Sequence, residues 1–184
     1  MIITITGKPC SGKGTVSKLF CQKYNFECKS VGDIMRQIAF EHGYNSILEF
    51  QQNYEKMHEI DNMVDNETAQ FGKTHLHDNI VFDSRLAWHF IPKSFKVFID
   101  IDWDTAGERL ISANRESEKV DTKEDAVIKL KQRWQAENDR YTLLYNTNNL
   151  NTNNYDFVIS SKNKTPEQVA DEIYENYLKF MQNA

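Results

Sequence analysis

The chain has 184 residues, 40% of them hydrophobic, and a formal net charge of −5. That is enough for one compact domain with a core, and too acidic for a general nucleic-acid binder, which needs a basic face. No apolar run approaches the ~20 residues of a membrane span, and MIITIT stops at a glycine with no basic stretch ahead of it, so a cytoplasmic protein is expected.

Ile2–Thr6 is predicted as a first strand, and Val16, Leu19, Phe20 and Tyr24 then recur at helical spacing. Between them lies GKPCSGKGT, Gly7–Thr15. Its glycines let backbone N–H groups approach phosphate oxygens, Lys13 can reach the outer phosphates, and the next helix aims its positive end at the anion. Strand, glycine loop and helix in that order form the context of a phosphate-binding loop. Gly14 stands where G-x-x-x-x-G-K-S/T has a hydroxyl, the group that binds Mg2+ in P-loop GTPases and many ATPases. Without it a metal is left to ATP phosphates, waters and a distant carboxylate, and Thr15 can bond a phosphate one place on. Cys10 fits the loop by being small. With Cys21 and Cys28 it makes an odd set without a C-x-x-C pair, which suits reduced thiols.

Phe26–Ser30, Ile80–Asp83, Val97–Ile101 and Phe157–Ser160 supply four further strands, separated by helical patterns. This predicts βαβ units and a buried parallel sheet with helices on both faces. Asp33–Thr74 and Ser112–Thr122 interrupt the alternation. Such insertions lie over the carboxyl ends of strands, where ligands bind, and the second suits a mobile cover. Asp100 and Asp102 read as strand-end and helix-start residues. His75 and His77 lack Cys or acidic partners at ligand spacing and make no metal site. Val127, Leu130, Trp134, Tyr141 and Leu144 form an apolar stripe, with Arg133 and Arg140 on one face about 10 Å apart. By itself that pair is either a solvated face or a bridge into a cleft. Trp103 and Trp134 are expected to pack, and Trp88, beside the Asp83-Ser84-Arg85 turn, stays open between packing and a platform for the base. Asn146–Asn154 reads as a polar loop, and Thr165-Pro166-Glu167-Gln168 as a capping box.

Four of these segments resemble the nucleoside monophosphate kinases of the P-loop superfamily, and among them the archaeal-type cytidylate kinases. Gly12-Lys13-Gly14-Thr15 matches their G-K-G-T. Ser30-Val31-Gly32-Asp33-Ile34-Met35-Arg36 resembles the S-x-G-D-I-x-R that opens their monophosphate-binding insertion. Val81-Phe82-Asp83-Ser84-Arg85-Leu86 resembles their D/E-G-R-L turn, with Ser84 in place of glycine. Arg133–Tyr141, RWQAENDRY, resembles the helix after their lid. Glu59-Ile60-Asp61 and Tyr155–Ile159 extend the likeness over nearly the whole chain.

The resemblance implies a P-loop NTPase fold with a five-stranded parallel sheet in a single domain: a core of 1–32, 75–111 and 123–184, a monophosphate-binding insertion at 33–74 and a lid at 112–122. It implies ATP phosphates on Gly7, Gly12, Lys13, Gly14 and Thr15, with Pro9, Cys10 and Ser11 between them. Ser30, Asp33, Arg36, Arg85 and Arg140 would hold the monophosphate. Lys13, Arg36, Arg85, Arg133 and Arg140 would be catalytic, and Asp83 would orient waters around Mg2+. The family's two lid arginines lie four residues apart; here Arg109 and Arg115 lie six apart.

A phosphate acceptor, with a second pKa of about 6, is largely dianionic at neutral pH and needs no catalytic base. The expected activity is therefore ATP-dependent phosphorylation of CMP and dCMP to the diphosphate, by a monomer with no polymer or membrane partner. CMP, UMP and AMP remain open as acceptors, and Gln51, Gln52 and Asn53 are candidate contacts to the base. A kinase of a phosphate-free metabolite would need a base, and none is apparent. A nucleotide switch would carry N-K-x-D, and Asn163-Lys164-Thr165-Pro166 lacks the aspartate.

Overall fold

In the computed structural model, residues 1–32, 40–44, 54–113, 120 and 122–183 are described, 54–61 by their backbone alone. Five strands form one sheet: β1 (Ile3–Gly7), β2 (Glu27–Ser30), β3 (Ile80–Asp83), β4 (Phe95–Asp100) and β5 (Phe157–Ser160). Their order is β2-β3-β1-β4-β5 and the described pairings are parallel. The helices are α1 (Lys13–Tyr24), α2 (Tyr54–Thr74), α3 (Ala87–Phe90), α4 (Trp103–Ser112), α5 (Lys123–Tyr145) and α6 (Pro166–Asn183).

Side-chain alternation along the strands decides how the layers form. Ile3, Ile5, Val81, Val97 and Ile99 point to one face and pack on Val16 and Phe20 of α1 and Ile173 of α6. Ile80 and Phe82 point to the other face, against Ala87, Ile91 and Phe71. Phe98 joins Trp88, Trp134 and Tyr141 there. The sheet is thus covered on both sides, as the strand-like runs predict. Of the predicted stripe of α5, Leu130, Trp134 and Tyr141 are buried; Val127 and Leu144 are only half-buried, and Ala126 and Asn138 join the buried face instead.

β3 and β5 fall on their predicted residues, and β4 starts and ends earlier than Val97–Ile101. β1 runs to Gly7 because that residue still pairs with Ile99. Helix starts follow local chemistry. The Asp102 side chain accepts from Thr105 N (3.0 Å), and Thr122 Oγ1 accepts from Asp125 N (3.1 Å). Thr165 and Gln168 bond reciprocally as a capping box. Among the described residues no helix is long and apolar enough to cross a membrane, and no disulfide joins the three cysteines.

Central β1 is flanked by β3 and β4, so residues that follow these three strands meet at one edge. Carboxyl ends at such a reversal of strand order are where open α/β sheets bind ligands.

Candidate active site

The glycine loop is fixed by backbone approach and by two clamps. A Cβ on Gly7 would lie 2.5 Å from Ile99 O and 2.8 Å from Ser11 Oγ, so only glycine lets the loop leave β1 this close to β4. Gly12, at φ 85°, turns the chain into α1. Lys8 Nζ donates to Ile101 O (3.2 Å) and pairs with Asp100 (2.6 Å), tying the loop to the end of β4. On the other side Arg109 donates to Cys10 O (3.3 Å), Ser161 Oγ (3.2 Å) and Ser161 O (2.9 Å). Cys10 has φ 62°, so its left-handed backbone turns its carbonyl to that guanidinium. The resemblance puts Arg109 in a lid; here it lies within α4, one turn before Ser112, and braces the loop.

Lys13 opens α1, and its ammonium pairs with the Asp83 carboxylate at the end of β3. Burial first, and the Arg85 guanidinium second, push this lysine down to about 7. The Asp83 charge works in the opposite sense. A Cβ on Gly14 would come within 3.3 Å of Asp83 Oδ2. The hydroxyl missing at Gly14 thus leaves space that the Asp83 carboxylate adjoins. Among the described residues no group of three or more His, Cys, Asp and Glu side chains could hold a metal alone. One carboxylate beside a phosphate loop suits an ion bound mostly by phosphates and water, of the kind Mg2+ prefers.

The turn after Asp83 settles what Ser84 does in place of glycine. Ser84 is buried, with no positive φ, and its Oγ accepts from Leu86 N and Ala87 N (3.2 Å each). The hydroxyl thereby satisfies the two N–H groups at the start of α3, just after Arg85. Arg85 pairs with Glu137 of α5, and Arg133 Nε lies 3.3 Å from the other Glu137 oxygen. From behind, Asn149 Nδ2 donates to Arg85 O (3.0 Å). Asn149 is 1% exposed; its Oδ1 accepts from Trp88 Nε1 (3.0 Å), its N–H donates to Asn138 Oδ1 (3.0 Å), and its carbonyl accepts from Tyr155 (3.2 Å). An asparagine-rich segment that reads as a polar loop therefore contains a fully bonded, buried brace for Arg85.

Two cavities result. One, of about 1010 Å³, is lined by the glycine loop from Gly7 to Thr15, including Pro9, Cys10 and Ser11, and by Arg109. The other, of about 590 Å³, is lined by Arg85, Arg133, Arg140, Glu137, Asp65 and Tyr145 among others. Lys13, Ser30, Asp83 and Arg85 line both. Ser30 is placed at this junction by its register with Asp83. Arg133 and Arg140 reach the second cavity from α5 as their spacing predicts, and Arg140 also lies 5.4 Å from the Tyr141 ring centre. Asp33, Arg36, Arg115, Gln51, Gln52 and Asn53 lie outside the described residues, as does the cover over 114–119 and 121. Trp88 and Trp134 are packing residues, and Lys8 lies 5.1 Å over the Trp103 ring. Sequence reasoning missed Lys8, Glu137, Asn149, Asp65 and Tyr145. Of these, Glu137 alone carried a signal, four residues from Arg133 and three from Arg140.

Phosphate-loop geometry beside an arginine-rich second cavity is what transfer between two phosphate-bearing ligands requires. Solved structures share the fold. A shikimate kinase from Aquifex aeolicus superposes with a TM-score of 0.61 at 18% identity, covering 100% of both chains. An uncharacterized protein from Eubacterium ventriosum gives 0.68 at 19% identity over 95% of this chain and 96% of that one. In sequence, a cytidylate kinase from Pyrococcus horikoshii is 32% identical over 92% of this chain and 84% of its own length. An S-adenosylmethionine-dependent nucleotide dehydratase from Lacinutrix mariniflava is 36% identical over 96% of this chain, which spans 36% of that protein's length. The model of the cytidylate kinase-like family matches residues 2–163, and the chain belongs to that family.

Proposed function

We propose that this chain transfers the γ-phosphoryl group of ATP to CMP, and to dCMP, giving ADP and the cytidine diphosphate. The observation that carries the reading is the pair of cavities that meet at Lys13, Ser30, Asp83 and Arg85. A donor on the glycine loop and an acceptor held by arginines would face each other across that junction. The 32% identical cytidylate kinase supports cytidylate as the acceptor.

In this reading the loop N–H groups and the start of α1 hold the donor phosphates, and Lys13 balances charge on the transferring group. Arg85, Arg133 and Arg140 hold the acceptor phosphate, whose dianion attacks in line without a base. Phosphate oxygens then take over the guanidinium and ammonium contacts that Glu137 and Asp83 make here. Asp83 would face the Mg2+ that accompanies ATP, and that ion supplies further charge neutralisation. Arg36 and Arg115 complete the phosphate contacts, and closure of 112–122 excludes water. The test is ADP release with CMP, dCMP, UMP and AMP in turn. Turnover with CMP and dCMP supports the reading; ATP hydrolysis that none of the four stimulates removes it.

The dehydratase relative favours a second reading of purpose, in which the phosphorylated product feeds an enzyme that consumes nucleotides. Dehydrated nucleotide should then form from CMP in a mixture of ATP, S-adenosylmethionine, this chain and such a dehydratase under the conditions in which that dehydratase is active. It should not form when Lys13→Ala replaces the wild type.

A further inference from the structure

We infer that Asp65, oriented by Tyr145, reads the exocyclic amino group of the acceptor base and so favours 4-aminopyrimidine over 4-oxopyrimidine monophosphates. This rests on the acceptor reading above and names the residue that would set its base preference.

The second cavity has two chemically different parts. Lys13 and Arg85 line it together with the first cavity, whereas Asp65 of α2 and Tyr145, the last residue of α5, line it alone. From Arg133 to Tyr145, α5 advances twelve residues, about 18 Å along its axis. That is room for a phosphate, a sugar and a pyrimidine laid end to end. The Tyr145 hydroxyl donates to Asp65 Oδ2. The Tyr145 ring is held in turn by Phe90, with centroids 5.3 Å apart and planes at 86°. The carboxylate is therefore held by a tyrosine that is itself packed.

Charge gives the cavity a direction. Lys13, Arg85, Arg133 and Arg140 outnumber the Asp83 and Glu137 carboxylates beside them, so a monophosphate is drawn to that group and its base is the part left to face Asp65. An ionised carboxylate only accepts hydrogen bonds, and its two oxygens offer about four lone-pair sites, so a carboxylate bonded to Tyr145 can accept from more than one donor at once. Cytosine presents an N4 amino donor, whereas a 4-oxo pyrimidine presents an acceptor at the same place. The first adds a charge-assisted hydrogen bond; the second sets lone pairs against lone pairs in a partly buried site. Asn or Gln at position 65 would serve either base by turning its amide.

The experiment compares kcat/KM for CMP and UMP in wild type, Asp65→Asn and Tyr145→Phe, with KM for ATP measured alongside. Asp65→Asn is expected to lower the CMP-to-UMP ratio by about 100-fold, with KM for ATP within about twofold of wild type. Tyr145→Phe should lower the ratio by about fivefold, the scale of one hydrogen bond. If Asp65→Asn does not fold, the Tyr145→Phe ratio decides. Wild type that uses CMP, with a ratio unmoved by the variants, overturns the inference and leaves the kinase reading standing. Wild type that uses no pyrimidine monophosphate overturns both.

Discussion

The two cavities are built in different ways, although four residues belong to both. The cavity proposed for the donor takes nine of its lining residues from one continuous stretch, Gly7–Thr15, where backbone N–H groups would carry the recognition. The acceptor side is made from side chains that arrive from α2, β2, the β3–α3 turn and α5. Contiguous backbone needs a few glycines and one cation in register. A side-chain site needs every contributor anchored by partners far away in sequence. The donor side should therefore fail abruptly when its residues change, and the acceptor side in graded steps.

Lys13→Ala tests the abrupt case. It removes the cation at the junction and leaves Asp83 without its ion pair. A loss of kcat of about 10³-fold is expected, the scale of a lost electrostatic contact to the transition state. A rate within tenfold of wild type would move the transferring group elsewhere. Arg85→Lys tests the graded case. It keeps the charge but loses the fork that matches a phosphate. KM for the monophosphate should rise by about 10–100-fold while KM for ATP changes by less than about threefold; an equal rise in both would make Arg85 a donor residue.

The same contrast governs how much was legible in advance. The sheet could be read because its strands are apolar runs bounded by turn residues, and β3 and β5 fall on Ile80–Asp83 and Phe157–Ser160. The glycine loop could be read because its chemistry is local. Arg133 and Arg140 could be placed together because one helix fixes their spacing. Asn149 could not, since its partners Trp88 and Arg85 are 61 and 64 residues away and its neighbours in sequence look like solvated loop. Asp65 is likewise defined by Tyr145, 80 residues on. Arg109 reads as a lid arginine whose spacing to Arg115 departs from the family's, and only the fold shows it bracing Cys10 and Ser161.

Asn149→Ala sharpens the point about distant anchors. It strands the buried Trp88 indole N–H and withdraws a donor from Arg85 O. A stability loss of about 2–3 kcal/mol is expected in denaturant unfolding. KM for the monophosphate should rise more than KM for ATP, because the brace stands behind Arg85 and not behind the glycine loop. A variant that loses stability with both KM values unchanged would make Asn149 a packing residue only.

Lys13 also links the donor side to pH. Its folded pKa is pushed down to about 7 from 10.5. Between those values the unfolded chain binds a proton that the folded chain does not, so this group makes stability rise with pH across that window. Its burial cost is fully present below about 7. The slope from one such group is at most about 1.4 kcal/mol per pH unit. Melting curves of the nucleotide-free protein at pH 7 to 9 should rise more steeply for wild type than for Lys13→Met. Parallel curves would mean that Asp83 holds the lysine charged throughout.

Ser84→Gly is the smallest change and separates fold from site most cleanly. It restores the glycine of the D/E-G-R-L turn while removing the hydroxyl that accepts from Leu86 N and Ala87 N. The backbone at Ser84 has no positive φ, so glycine brings no relief of strain and only adds freedom to the unfolded chain. Losing the cap should cost about 1 kcal/mol, visible as a shift in the unfolding midpoint. Asp83 and Arg85 keep their other anchors, β-sheet register on one side and Asn149 on the other. KM and kcat should therefore stay within about twofold of wild type. A large fall in kcat would show that the serine hydroxyl, through α3, sets the aim of Arg85, and the acceptor side would then depend on local backbone as the donor side does.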